Sequence, residues 1–457
     1  MEDSREKLSS RLGFIMLSVG CAVGLGNVWR FPYVAGQNGG ALFVLLYILF
    51  MVLLGIPIMT MEFSLGRASK TSIATYYKNL RNDRPAWRLG SYFAVAANYI
   101  LMMFYTTIAG WTLNYLVQVN KGDLSGLTTD QVAVRFSEMI NSPYQSVIWM
   151  MIVIIIGFGI CVMGLQNGVE KITKYMMLSL FAILIILAIR AVTLPNAVEG
   201  IKFYLNPDFS QIRRNGISKV LGEAMAQAFF SLSVGAGGMA IFGSYIDKER
   251  TLVGEAINIT LLDLLVAMLS GLIVFCACAS FGVDVESGPS LVFVTMTNVF
   301  NSMAFGRIWG ILFFISMCFA AMSTIIGVFE NIVSFGLDLF GWSRKKSVAI
   351  NMALVLILAL PCALGFNVLK GIQPLGAGTN IFDLEDFIVS NNLLPLGALI
   401  CVLFCTSKLG WGYDNFIEES NCGKGIKFPR RVRIYLSICI PVLIGLILVQ
   451  GYINFMN

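Results

Sequence analysis

The feature that most restricts this chain is a succession of apolar runs, each long enough to cross a bilayer. They cover residues 12–37, 41–68, 89–118, 146–165, 170–191, 218–245, 253–282, 305–339, 347–366, 384–406 and 432–454. A membrane helix needs roughly 20 apolar residues, and a backbone in lipid must satisfy its own hydrogen bonds, which favours helices. The expected fold is therefore all-α, a polytopic membrane protein with 11 transmembrane helices. Composition agrees: 57% of the residues are hydrophobic and 13% charged, against about 25% charged in a soluble domain. No removable signal peptide is expected, since no short apolar segment with a small-residue cleavage site precedes the first run.

The net charge of +6 matters less than its placement. Arg5, Lys7 and Arg11 precede the first run, and Lys70, Lys78, Arg81, Arg84 and Arg88 fill the second connection. Arg344, Lys345 and Lys346 fill the eighth, and Lys424, Lys427, Arg430, Arg431 and Arg433 the tenth. Short basic loops stay cytoplasmic. The clusters thus read as topology signals in a multi-pass cell (plasma) membrane protein, with the N-terminus cytoplasmic and the C-terminus outside, and no nucleic-acid partner is expected. The ten cysteines lie mostly inside apolar runs, and the chain has no histidine, so they read as small packing residues rather than metal ligands.

Two runs carry features that an ordinary membrane helix avoids. The first contains Gly20-Cys-Ala-Val-Gly24-Leu-Gly26-Asn27 at its middle, and the sixth contains Ser231-Leu-Ser233-Val-Gly235-Ala-Gly237-Gly238. One such run could serve close helix packing. Two, at corresponding places in two halves, point to an inverted-repeat transporter with its site at the repeat interface. At each break, bared N–H groups can hold an anionic group and bared carbonyls a cation. Intramembrane charges fit this. Asp263, deep in the seventh run, carries an insertion cost of about 3 kcal/mol that a cation or a proton would relieve. Glu62, nearer a helix end, reads as a structural acceptor for the N–H groups of a broken helix.

Motifs then become specific. Arg11-Leu-Gly-Phe, Gly24-Leu-Gly-Asn-Val-Trp-Arg30-Phe-Pro-Tyr, Asn38-Gly-Gly, Gly55-Ile-Pro, Glu62, Gly66-Arg67 and Tyr105 with Gly110-Trp111-Thr-Leu resemble the neurotransmitter:sodium symporter family. The likeness continues through Thr193-Leu-Pro, Phe203-Tyr-Leu-Asn-Pro-Asp208-Phe, Gln227-Ala-Phe-Phe-Ser-Leu-Ser and Ser287-Gly-Pro-Ser-Leu-Val-Phe. The family is itself a type case of the inverted-repeat architecture.

The resemblance implies a leucine-transporter-like fold, with a 5+5 inverted repeat and broken helices 1 and 6. Residues 1–191 would form the first half, 218–406 the second, and 432–454 an additional helix. It also implies two Na+ sites. The first would use the Ala22 carbonyl, the Asn27 amide oxygen, Ser231 and Asp263; the second, carbonyls of Gly20, Val23 and Ala320 with the hydroxyls of Ser323 and Thr324. Read alone, Ser323-Thr324 would simply bond back to their own helical turn.

The implied substrate is an amino acid. Gly24 leaves room for its carboxylate, where monoamine-carrying relatives place an aspartate, and Tyr105 with the N–H groups of Leu25 and Gly26 would hold that carboxylate. Carbonyls near Ala22, Phe230 and Ser233 would take the ammonium. Val23, Leu101, Phe230, Ser233, Ala236 and Val328 would wall the side-chain pocket, with Thr324 at its edge. Ala236, standing where leucine-selective relatives carry a bulky aromatic residue, favours large hydrophobic or aromatic substrates. Arg30 and Asp386 resemble an outer gate, and Arg5 with Asp338, helped by Ser244 and Tyr245, an inner one.

The sequence departs from the family pattern at four places. Asp263 replaces a common asparagine while Ala267 occupies the position of a glutamate, so the negative charge has moved by one turn. Chloride is not expected as a partner, although Tyr47, Gln227 and Ser231 border the place it would take. Leu8 stands where a tryptophan usually plugs the inner pathway, and Leu178 where proline often loosens the fifth helix. No twelfth helix is expected. An ATP-binding loop of the form G-x-x-x-x-G-K-[ST] is absent, as is any nucleophile or metal constellation of an enzyme. A ligand sensor or channel on the same fold, or a sodium-coupled carrier of another small amine or osmolyte, are the competing functions.

Overall fold

A computed structural model describes residues 6–207, 216–282 and 291–456. The described residues are helical throughout, apart from connections and one isolated bridge between Arg250 and Lys424. Nine helices are long and apolar enough to cross a membrane among these residues, or ten if the bent pair Arg11–Ala22 and Gly26–Gln37 forms one span. The chain is a polytopic, all-α membrane protein.

The first helix starts where Ser10 caps it, its hydroxyl accepting from the Gly13 N–H at 3.0 Å. It ends at Ala22 because Val23 turns extended, at φ −70° and ψ 105°. The chain resumes through a wide π-type turn, Gly26–Arg30, and its two halves meet at 55°. Farther on, the helix Ile217–Leu232 stops at Ser233, which takes the left-handed conformation at φ 50°. Helix resumes only over Gly238–Ser244. Between them Gly235 and Gly237 hold φ 98° and 73°, values costly for any residue with a Cβ.

Backbones around these interruptions touch. A Cβ on Gly66 would come 1.8 Å from the Ala240 carbonyl oxygen, and one on Gly243 would come 2.5 Å from that of Phe63. Small residues thus let the Ala41–Ser69 helix lie directly on Gly238–Ser244, the usual device of membrane helix packing. Glu62, on the same helix, is 1% exposed. It accepts the Gly235 N–H at 2.6 Å and the Met239 N–H at 3.2 Å, the structural role its position suggested.

The Pro85–Lys121 and Gly306–Phe340 helices pack along each other, and Gly306–Phe340 together with Lys171–Val192 supports the first helix. The Lys171–Val192 helix runs unbroken through Leu178, whose side chain faces outward. Arg430–Ile453 lies at the periphery, against Ile381–Thr406 and Ile217–Leu232. Outward faces carry exposed Ile155, Ile186, Ile189, Leu261 and Val442, a surface that suits lipid.

Candidate substrate and cation site

A cavity sits where both interruptions meet the Pro85–Lys121 and Gly306–Phe340 helices. Of the residues expected from sequence, Ala22, Gly24, Gly26, Asn27, Leu101, Tyr105, Phe230, Ser233, Ala236, Thr324 and Val328 line it. Cys21, Asn98, Gly238 and Leu394 line it as well. Val23, Leu25 and Ser231 do not. Their side chains turn elsewhere, Leu25 into a second cavity and Ser231 towards Asp263.

Gly24 sets the cavity's upper edge. A Cβ there would come 2.5 Å from the Tyr105 hydroxyl and 2.8 Å from Thr324 Oγ1. The Leu25 N–H donates to Tyr105 Oη at 2.9 Å, and the tyrosine hydroxyl also hydrogen-bonds with Thr324. Ser233 ties the two interruptions together, donating to the Cys21 carbonyl at 3.0 Å.

Asp263 is fully buried. Its carboxylate accepts from Asn27 Nδ2 at 2.9 Å and from Ser231 Oγ at 2.6 Å. Tyr47 Oη lies 2.8 Å from Ser231 Oγ and 3.5 Å from Asp263 Oδ2. The Asn27 amide therefore presents its nitrogen to Asp263 and Ser231, while its oxygen accepts the Gly24 N–H at 3.3 Å. No Lys or Arg among the described residues pairs with Asp263 within 4.0 Å.

Thr324 has a different surrounding. Its Oγ1 lies 3.3 Å from the Gly20 carbonyl, 3.2 Å from that of Val23 and 3.2 Å from that of Ala320. Ser323 bonds only to its own helix, donating to the Ala320 carbonyl at 3.1 Å. One hydroxyl proton facing three carbonyls leaves acceptors in excess, and such an oxygen cradle suits a hard cation. Back-bonding, the bland role of this pair, coexists with reach across to the broken helix.

Phe230, Tyr105 and Gly26 line both the cavity and a vestibule above it, so the two aromatic rings partition them. Arg30 and Asp386 both line the vestibule, but no ion pair within 4.0 Å joins them. The Arg30 guanidinium lies 5.0 Å over the Phe230 ring and reaches Gln227 Oε1 at 3.4 Å. Asp386 Oδ1 accepts from Ser390 Oγ at 2.7 Å.

At the opposite end, Arg5 lies outside the described residues. Asp338 accepts the Ser72 N–H at 2.6 Å. Tyr245 donates to the buried Glu330 at 2.7 Å and lies 3.1 Å from Ser334. Arg344 pairs with Glu330 and donates to the Cys161 carbonyl at 2.7 Å. The Leu8 N–H bonds to the Tyr245 carbonyl at 3.3 Å, so backbone fastens the segment where relatives use a tryptophan. Residues 287–290 of the Ser287-Gly-Pro-Ser-Leu-Val-Phe motif fall outside the described residues.

The model of the sodium:neurotransmitter symporter family matches residues 5–133 and 130–457. The chain belongs to this family. It is 34% identical to YhdH, an uncharacterized sodium-dependent transporter of Bacillus subtilis, over 98% of each chain. An uncharacterized sodium-dependent transporter of Haemophilus influenzae is 32% identical, again over 98% of each chain. The crystal structure of MhsT in complex with L-phenylalanine superposes with a TM-score of 0.89 at 36% identity, covering 98% of this chain and 100% of the other. A transporter of the sodium:neurotransmitter symporter family, and not an enzyme, is what the motifs implied. Among the described residues no group of three or more Cys, Asp or Glu side chains could hold a metal ion.

Sequence reading missed Asn98, Asn331, Glu330 and Arg344. Asn98 carried a signal, since 98, 101 and 105 share one helical face. Glu330 carried one too, as a carboxylate in the middle of an apolar run.

Proposed function

We propose that this chain is a sodium-coupled symporter that imports amino acids, preferentially large hydrophobic or aromatic ones, by alternating access. The observation that carries the reading is the close approach at Gly24. Only glycine lets the broken helix come this near Tyr105 and Thr324, and a substrate carboxylate in the cavity that Gly24, Tyr105 and Thr324 line together would meet the Tyr105 hydroxyl and stand between the two cation cradles. The phenylalanine bound to MhsT supports an aromatic amino acid as ligand.

Two Na+ ions are assigned. The first takes Ala22, Asn27, Ser231 and Asp263 together with the substrate carboxylate. Its arrival turns the Asn27 amide over, so that oxygen replaces the nitrogen now facing Asp263. The second takes the carbonyls of Gly20, Val23 and Ala320 with Ser323 and Thr324. Because Asp263 supplies a negative charge beside Tyr47 and Ser231, transport needs no chloride, and Asp263 takes a proton when its sodium leaves.

Eleven spans in a 5+5 inverted repeat follow if Ile217–Leu232 and Gly238–Ser244 are one broken helix. The halves are then 1–191 and 218–406, with 432–454 added. The basic loops set the N-terminus inside and the C-terminus outside, which makes the vestibule extracellular. Helices 1, 2, 6 and 7 rock against 3, 4, 8 and 9. Arg30 leaves Gln227 to meet Asp386 as the outer gate closes, and Arg5 with Asp338 and Tyr245 closes the inner one. An exposed ion pair is worth at most about 1 kcal/mol, which suits a latch that opens in every cycle.

The test is uptake of each of the 20 amino acids into proteoliposomes, on a sodium gradient, with and without chloride. At least one large apolar amino acid should accumulate in both media. If none enters on the gradient, symport is wrong; if uptake collapses with gluconate in place of chloride, the role of Asp263 is.

A further inference from the structure

The end of the molecule opposite the vestibule holds a cavity separate from the substrate and cation cradles. It encloses about 260 Å³ between the start of the first helix, the connection that follows Gly238–Ser244, and the first turn of Leu252–Phe281. Sites for drug-sized molecules span roughly 300–1,000 Å³, so this one suits a single small metabolite rather than a peptide. Lys7, Arg11 and Arg250 line it, and so do Asp247, Glu249 and Glu255. Three cations and three carboxylates balance, which favours a ligand carrying both signs over one with a net charge.

The pairing within this set is incomplete. Lys7 Nζ meets Asp247 Oδ2 at 2.9 Å, and Arg11 Nε meets Glu255 Oε1 at 2.9 Å. The other oxygen of Glu255, Oε2, is buried and finds no hydrogen-bond partner among the described residues. Neither Arg250 nor Glu249 enters an ion pair within 4.0 Å among them. Glu255 is 4% exposed and lies in the first turn of its helix, where bared N–H groups favour a negative charge. That accounts for a carboxylate at this depth but not for the idle oxygen, since a buried acceptor without a donor is costly. A metal does not account for it either, because no group of three Cys, Asp or Glu among the described residues could hold one. A ligand bringing an N–H donor would satisfy it, and Leu8, Phe14 and Ile246 give the same cavity an apolar wall.

We propose that this cavity is a second binding site for an apolar amino acid in its zwitterionic form, independent of sodium. The ammonium meets Glu255 Oε2, the carboxylate meets Arg250, and the side chain lies against Leu8 and Phe14. None of the carbonyls assigned to sodium belongs to a residue that lines it. A bound amino acid ties the segment ahead of the first helix to the connection after Gly238–Ser244, two parts that the Leu8 N–H already joins at the Tyr245 carbonyl. The inference goes beyond the symport reading and takes from it only the side of the membrane. With this end cytoplasmic, the ligand is drawn from the pool that transport fills.

The experiment is ligand-observed NMR on the purified full-length transporter in potassium, without sodium, with leucine, leucinamide and N-acetylleucine as probes. Leucinamide lacks the carboxylate and N-acetylleucine the ammonium. Partly exposed charge pairs are weak, so leucine should bind with a dissociation constant near ~1 mM. N-acetylleucine, which leaves the buried Glu255 oxygen unpaired, should bind about ten-fold more weakly. Leucinamide should lose about five-fold, since Arg250 is exposed. Arg250→Gln should cost leucine the same five-fold or so in potassium and leave its sodium-dependent binding unchanged, which also shows that the variant is folded. Gly24→Ala should do the reverse. No leucine binding in potassium, or equal binding of the three probes, overturns the inference. Loss of the sodium-free binding in Gly24→Ala also overturns it, because the ligand would then sit in the central cavity. Failure of leucine to bind in sodium beyond the potassium level would overturn the symport reading and leave this site standing.

Discussion

The surroundings of Asp263 and of Thr324 are both oxygen-rich, buried and adjacent to the broken first helix, yet they are built on opposite principles. Around Asp263 a carboxyl group is present, and donors match it: Asn27 Nδ2 at 2.9 Å and Ser231 Oγ at 2.6 Å. Around Thr324 one hydroxyl faces three carbonyls. The first cradle has an internal stand-in for the cation, an amide that must turn before an ion can bind. The second has none and is already arranged for one. On the assignment proposed above, the cation in the first is conditional on a substrate and the one in the second is bound without it, from the same ligand chemistry.

The largest effect should come from removing the charge. Asp263→Asn keeps the size and the hydrogen bonds to Ser231 but leaves the first cradle neutral. Uptake in chloride-free medium should fall by about 100-fold, the upper range for losing a group that supports a bound metal, and chloride should restore part of it. Wild-type uptake by this variant in gluconate would erase the distinction between the two cradles.

Gly24→Ala addresses the space between them. A methyl group 2.5 Å from the Tyr105 hydroxyl must push that hydroxyl away from the carboxylate it is proposed to hold, so substrate affinity should fall by about 100-fold, as overpacking and the lost hydrogen bond combine. Sodium-induced thermal stabilisation, which depends on the second cradle, should persist. Its loss together with substrate binding would mean that the two sites cannot be separated.

Thr324→Val preserves shape and removes the hydroxyl that faces all three carbonyls. The sodium concentration for half-maximal uptake should rise about ten-fold, and sodium-induced stabilisation should shrink in proportion. An unchanged sodium dependence would reduce Thr324 to a helix-packing residue.

How far these features could be read in advance depended on whether their cause was local. The break at Val23 follows from a glycine-rich run inside an apolar stretch. Glu62 was legible because a carboxylate near bared N–H groups has few other uses at that depth. The turn of the Asn27 amide was not, since it depends on Asp263 and Ser231 arriving from more than 200 residues away. Arg30 resting over Phe230 rather than on Asp386 is equally illegible, because motif resemblance identifies partners and not which state of a cycle the chain adopts. The contacts of Asn98 escaped for a related reason. A single asparagine in an apolar helix reads as a back-bonding residue, and its bond to Ala94 agrees. Only the approach of Asn331 and Ala236 gives it partners beyond its own helix.

Ser323 supplies the finest test, because resemblance and geometry weigh it differently. The family pattern makes it an equal partner of Thr324 at the second sodium, whereas its hydroxyl here bonds only to Ala320, at 3.1 Å on its own helix. To bind an ion it must give up that bond, and Ala320 still has Thr324 at 3.2 Å. The net gain from turning is then the difference between two modest interactions. Ser323→Ala should raise the half-maximal sodium concentration only about three-fold, a change of roughly 0.65 kcal/mol, well below the effect at Thr324. Titrating sodium-dependent uptake in both single variants and the double variant checks this. Losses that multiply would mean independent contributions, whereas a double variant no worse than Thr324→Val would mean that Ser323 acts only through its neighbour. Equal losses at both positions would show that the excess of acceptors around Thr324 is not what distinguishes the second cradle from the first.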